Sequence, residues 1–135
     1  ANLDVEGHTR LKTYSENVAS LSVSSNVATI DLSRAQTFNH TLTDNIESFK
    51  VINVPAGSSS FVIKFTQDIT GGRTVGIDTF VDESSTAVTV YWPSGVAPIV
   101  TGLASKTDIY SFKIMDGEGL SSDGLFGVVT GQNFG

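Results

Sequence analysis

The chain has 135 residues, a formal net charge of −6 and no cysteine. That length suits one domain with its own core, and the missing cysteines exclude disulfides and thiolate metal sites. The acidic balance, with eight scattered Lys and Arg, excludes a phosphate-backbone partner, and no apolar run is long enough for membrane insertion.

Only 16% of the residues are charged, against about 25% in an average globular domain. Ser, Thr, Val and Gly replace them, a composition that suits strands with hydroxylic solvent faces.

Residues 1–16 combine apolar Leu3, Val5 and Leu11 with charged Arg10, Lys12 and Glu16 around Gly7. They lack the basic and apolar regions of a signal peptide and do not begin with Met. We expect an extended arm or the last repeat of a shaft, with a frayed terminus as the equal alternative, on a chain cut from a longer one. A β domain of residues 17–135 follows.

Residues 18–23 read as a short strand, with a turn at Ser24-Ser25-Asn26. Residues 27–32 alternate, with Ala28, Ile30 and Leu32 on one face. Residues 37–42 place Phe38, His40 and Leu42 together, and Asp44-Asn45 turns the chain. Residues 48–54 are apolar on both faces, so we expect cover on both sides. Residues 55–59 form a loop.

The clearest strand starts at Ser60. Phe61, Ile63 and Phe65 fall on one face, and Val62, Lys64 and Thr66 on the other. Gly71-Gly72 then reads as a tight hairpin turn, with Arg73-Thr74-Val75 starting the return strand. Val75 and Ile77 share a face but Phe80 is out of phase, which places a bulge or break near Gly76. Residues 82–85 are a polar turn.

Residues 87–92 align Val88, Val90 and Trp92, and Pro93 ends that strand. Residues 107–115 put Tyr110, Phe112 and Ile114 on one face. Residues 116–124 are a loop rich in Gly, Ser and acids, and residues 125–130 form the last strand. No segment has helical periodicity. Roughly ten short strands at this spacing give an all-β, antiparallel β-sandwich or jelly-roll-like fold with an extended arm.

Little of this pattern carries chemistry. His8 lies in the arm, and His40 reads as a hydrogen-bonded structural histidine because no second His or acid cluster accompanies it. The loop of residues 116–123 offers carboxylates but lacks calcium-loop spacing. Gly-x-Ser-x-Gly is absent. Among Asp78, Asp82, Glu83, Asp116 and Glu118 no spacing marks a glycosidase pair. We expect no enzyme, no catalytic residue, no metal and no cofactor. Tyr91 and Trp92, beside Pro93, are the candidate interface or ligand-facing residues, as a stacking platform for sugars or as contact surface.

Several ordered pieces together resemble a known family. They are Asp31-Leu32-Ser33, Phe38 and Leu42, the Phe61–Asp68 run, Thr70-Gly-Gly-Arg-Thr-Val75, Trp92-Pro93, Asp108–Phe112, Asp116-Gly117 and Gly131-Gln-Asn-Phe134. From about Val18 to Gly135 the chain is similar to the C-terminal module of tailed-bacteriophage tail fibre proteins, of the type found in marine phages. The residues at 79–89 depart from that pattern, and no ligand-binding residue carries over.

The resemblance implies a virion structural protein, located in a tail fibre or on a capsid surface. It would act as a homotrimeric tip or receptor-facing module for host attachment. Its partners would be other virion proteins and a host surface glycan or receptor. Apolar surface at residues 91–92 and 125–129 would then lie between subunits. The alternatives are a head fibre or capsid decoration (cement) protein, and a lectin-like carbohydrate-binding module.

Overall fold

The computed structural model describes residues 3–135; residues 1 and 2 of the expected arm lie outside them. Residues 3–17 form no strand or helix and are exposed throughout. The elements that follow are β1 (Val18–Ser20), β2 (Ser22–Ser24), β3 (Val27–Asp31), β4 (Thr37–Leu42), β5 (Ser48–Ile52), β6 (Ser59–Gln67), β7 (Phe80–Val81), β8 (Ala87–Val88), β9 (Val90–Tyr91), β10 (Thr107–Ile114) and β11 (Leu125–Phe134). One helical turn, α1 (Leu120–Asp123), precedes β11. The fold is β-rich, as expected, and has two sheets. The larger is ordered β1-β4-β6-β10-β11-β9 and the smaller β2-β3-β5-β7-β8.

The sheets are mixed, where an antiparallel arrangement was expected. From β3 to β6 the chain alternates between sheets, so β3 and β5 are parallel neighbours in one and β4 and β6 in the other. Parallel neighbours need a crossover, and here each sheet's crossover runs through a strand of the other. Period-two alternation shows which face is buried but not which strand lies alongside. Antiparallel pairing dominates later, where β10 lies between β6 and β11.

Two continuous segments link the two sheets. At one end β1 passes into β2 through buried Leu21, and at the other β8 passes into β9 through Thr89. Residues 18–23 and 87–92 are therefore each split between the sheets. Ser25 and Asn26, with φ of 50° and 65°, make the two-residue turn between β2 and β3, where twist favours positive φ at both positions.

One core lies between the sheets. The expected inward faces hold: Phe61, Ile63 and Phe65 of β6 and Tyr110, Phe112 and Ile114 of β10 are at most 1% exposed. Phe49 stacks on Phe80 at 4.8 Å within the smaller sheet, and Phe61 on Phe112 at 5.0 Å within the larger. Phe49 meets Phe65 at 6.1 Å, and Phe80 meets Phe112 at 5.3 Å, joining the sheets. Such pairs add about 0.5–1.5 kcal/mol each beyond their area.

Other expectations change. Gly71-Gly72 does not fold β6 back on itself: β6 pairs with β4 and β10, and Val75 bridges Ile46. Gly71, with φ of 71°, instead packs against the loop at residues 102–104, where a Cβ would come 2.7 Å from the Ala104 nitrogen. The break near Gly76 is present as a turn before β7. In β5 only Phe49 and Val51 are fully buried; Ile52 and the following Val54 are half-buried, so its second face is only partly covered. The last strand runs on to Phe134.

The core face of β6 gives a direct prediction. Phe65→Ala should cost about 3–5 kcal/mol of stability, and Lys64→Ala, on the solvent face, less than about 0.5 kcal/mol. Similar melting temperatures for the two variants would contradict the face assignment.

Candidate functional site

Tyr91 and Trp92 are adjacent on an extended chain, so they point to opposite sides. Trp92 turns inward and is 7% exposed. Its indole N–H donates to the Asp78 carboxylate at 2.8 Å, and its ring meets Phe112 edge-on at 5.7 Å. It lies over Gly127, where a Cβ would come 2.6 Å from the ring. Trp92 is therefore held largely in the core.

Tyr91 turns outward and stacks on Phe126 at 5.2 Å. With Trp92, Pro93, Gly127 and Val128 these rings line a shallow groove of about 320 Å³. Of the apolar residues expected at the surface in 125–129, Leu125 is buried while Phe126, Val128 and Val129 are 41–46% exposed.

The opposite end of the core is polar. Asp108 has the inward parity of Tyr110, Phe112 and Ile114, and is 1% exposed. It accepts hydrogen bonds from the Thr101 N–H at 2.7 Å, the Tyr110 hydroxyl at 2.7 Å, the Asn133 N–H at 2.9 Å and the Gln132 amide at 3.2 Å. The Gln132 amide also donates to the Ile99 carbonyl at 2.7 Å and to the Tyr110 oxygen at 2.8 Å.

Gln67, 2% exposed, ends the core face of β6. Its amide donates to the Arg73 and Thr101 carbonyls, and its oxygen accepts the Arg73 N–H. Two buried polar side chains thus fasten the loops at 68–74 and 96–106 and the C-terminal part of β11.

Burial alone pushes the Asp108 carboxyl up, but the Thr101, Asn133 and Tyr110 hydrogen bonds outweigh it and hold it below its ordinary value. Burial first, and then Asp108, pushes the Tyr110 hydroxyl up. In the neighbouring loop the Gly71 N–H is the main group holding the Asp68 carboxyl low; Arg73 pairs with it at 3.1 Å. These fixed loops present Ile69, Ile99 and Leu103 at 60–90% exposure.

Neither histidine joins this network. His8 lies in the exposed arm. His40 is half-buried on β4, and burial lowers its pKa. It makes no side-chain hydrogen bond among the described residues, where a hydrogen-bonded one was expected. In the 116–123 loop the Asp116 carboxylate accepts the Glu118 N–H at 3.1 Å. Among the described residues no three His, Asp or Glu gather as a metal site.

Asp108 is the anchor that strand periodicity alone passes over. The available signal is an acid at an inward position of a clearly alternating strand, because a buried carboxylate needs donors. Comparison with family models, curated proteins and solved structures finds no match.

Two predictions follow from this geometry. Trp92→Ala should cost about 3–5 kcal/mol, while Tyr91→Ala should cost less than about 1 kcal/mol, as read by denaturant unfolding; equal costs would contradict the inward and outward assignment. Asp108 binds its proton more weakly folded than unfolded, so its contribution is present above the ordinary carboxyl value of 3.8 and is lost as pH falls below it. Asp108→Asn should be about 1–3 kcal/mol less stable at neutral pH and lose less stability than the native chain between pH 4 and pH 2. Parallel acid unfolding curves would contradict this role.

Proposed function

We propose that this chain is a virion structural protein of a tailed bacteriophage, acting as the trimeric tip of a tail fibre. The observation that carries the reading is the arm. Residues 3–17 have no strand, helix or hydrogen bond to the body among the described residues. Yet they carry Leu3, Leu11 and Tyr14 at 90%, 65% and 77% exposure. Apolar side chains on an uncovered extended segment gain from burial against another chain.

Two further features support the assembly. Charged residues are sparse, at 16%, so much of the surface lacks ionic side chains. The Tyr91, Phe126 and Val128 strip adds apolar area on the body, and obligate interfaces are rich in such area. The ordered pieces that resemble fibre ends supply the virion context. Several of them build the fold: Gly71-Gly72 packs on the 101–104 loop, and Gln132 and Asn133 hold Asp108.

In this reading the two sheets form the sandwich of the knob, the arm runs near the axis, and three copies hold a host target that each binds weakly. The same arm suits a head fibre or capsid decoration protein, where it anchors the body.

Light scattering of the full chain at micromolar concentration should give the mass of three chains. The double variant Leu11→Asp with Tyr14→Asp should give one. A single-chain mass for the native protein, unchanged on concentration, would contradict the trimer. A closed assembly of another order would remove the fibre tip and leave the virion reading.

A further inference from the structure

The outer face of the larger sheet carries a groove unlike the rest of the surface. It holds about 330 Å³ and is lined by Ser20, Asn39, His40, Thr41, Lys64 and Thr66. Small-molecule sites start at about 300 Å³. β1 pairs with β4 only as far as Ser20 and Asn39, and then leaves for the other sheet at Leu21. That departure leaves the flank of β4 at His40 and Thr41 without a neighbouring strand, and the groove forms there.

Ser20, Asn39 and Lys64 are side by side in one row across three strands, and Thr41 and Thr66 form the next row. Neighbouring strands are about 4.8 Å apart and outward residues about 6.7 Å apart along each strand. This grid of polar groups has the scale of one pyranose ring with its substituents.

Every lining residue is polar, and no acid is among them. Thr66 shares a hydrogen bond with the Thr107 hydroxyl at 2.9 Å. The other five side chains have no hydrogen-bond partner among the described residues. His40 has the inward parity of Phe38 and Leu42 and lies opposite Phe65, so its ring is not part of this outward grid. Hydroxyls and the Asn39 amide donate and accept, the complement of a polyol. Lys64 is the one cation in the groove, and the single ion pair among the described residues is Arg73 with Asp68.

We propose that this groove binds an acidic sugar, with Lys64 taking the carboxylate and Asn39, Thr41 and Thr66 taking the ring hydroxyls. A charge-assisted bond to a carboxylate is about twice as strong as a neutral one, so Lys64 supplies most of the selectivity. One Lys without Arg is too little for a phosphate backbone, and a lining without apolar side chains offers nothing to an apolar peptide. All the lining residues come from one chain.

The test is a backbone-amide NMR titration of the full chain with D-glucuronate, and in parallel with D-glucose and inorganic sulfate. Glucuronate should give saturable shifts confined to Ser20, residues 39–41 and residues 64–66, with glucose at least about tenfold weaker. Lys64→Met should weaken glucuronate by about tenfold or more with an otherwise native spectrum, and Thr41→Val should weaken both sugars. No saturable shift up to about 100 mM glucuronate would overturn the site. Equal binding of glucose would overturn the acid, and sulfate binding as tightly as glucuronate would overturn the sugar. Shifts centred elsewhere would overturn the location.

Discussion

The pairing of β6 with β10 is the contact on which the rest of the fold depends. It runs without a register shift from Thr66 against Thr107 to Ser59 against Ile114. That register sets Phe61 beside Phe112, Ile63 beside Tyr110 and Phe65 beside Asp108. With Ile114, six apolar side chains from two strands therefore make one inward surface, on which Phe49 and Phe80 of the smaller sheet rest. The same register brings Gln67 and Asp108 to one end of that surface, where carbonyl and N–H groups of two loops and the end of β11 find partners. A slip of one residue would turn the aromatic rings to solvent and bury Lys64.

The sequence legibly encodes faces more than partners. Alternation in β3, β4, β6 and β10 predicts their buried residues because each has one face inward and one outward. It is silent on pairing, so the parallel neighbours and the passage of residues 18–24 and 87–91 from sheet to sheet are not visible in it. The Gly71-Gly72 dipeptide has the chemistry of a hairpin, but its tertiary partner, the loop at 101–104, decides its use.

For the candidate surface, an aromatic pair in the sequence says that area will be buried, not on which side. Parity then separates them: Trp92 goes into the core over Gly127, and Tyr91 goes out onto Phe126. The groove at His40 is harder still to read, since its residues come from β1, β4 and β6 and meet only because β1 leaves the sheet. Its polar lining, the apolar strip beside Tyr91 and the exposed arm involve different residues of the chain. Under the proposed reading the arm and strip meet other chains and the groove meets the host.

Native-state hydrogen exchange tests the central role of the β6 and β10 pairing most directly. The account predicts that amides of these strands exchange slowest, by global unfolding, and that the Thr101 and Asn133 amides held by Asp108 share this protection. Faster exchange in β6 and β10 than in β3 and β5, or Thr101 and Asn133 amides as unprotected as an open loop, would contradict it.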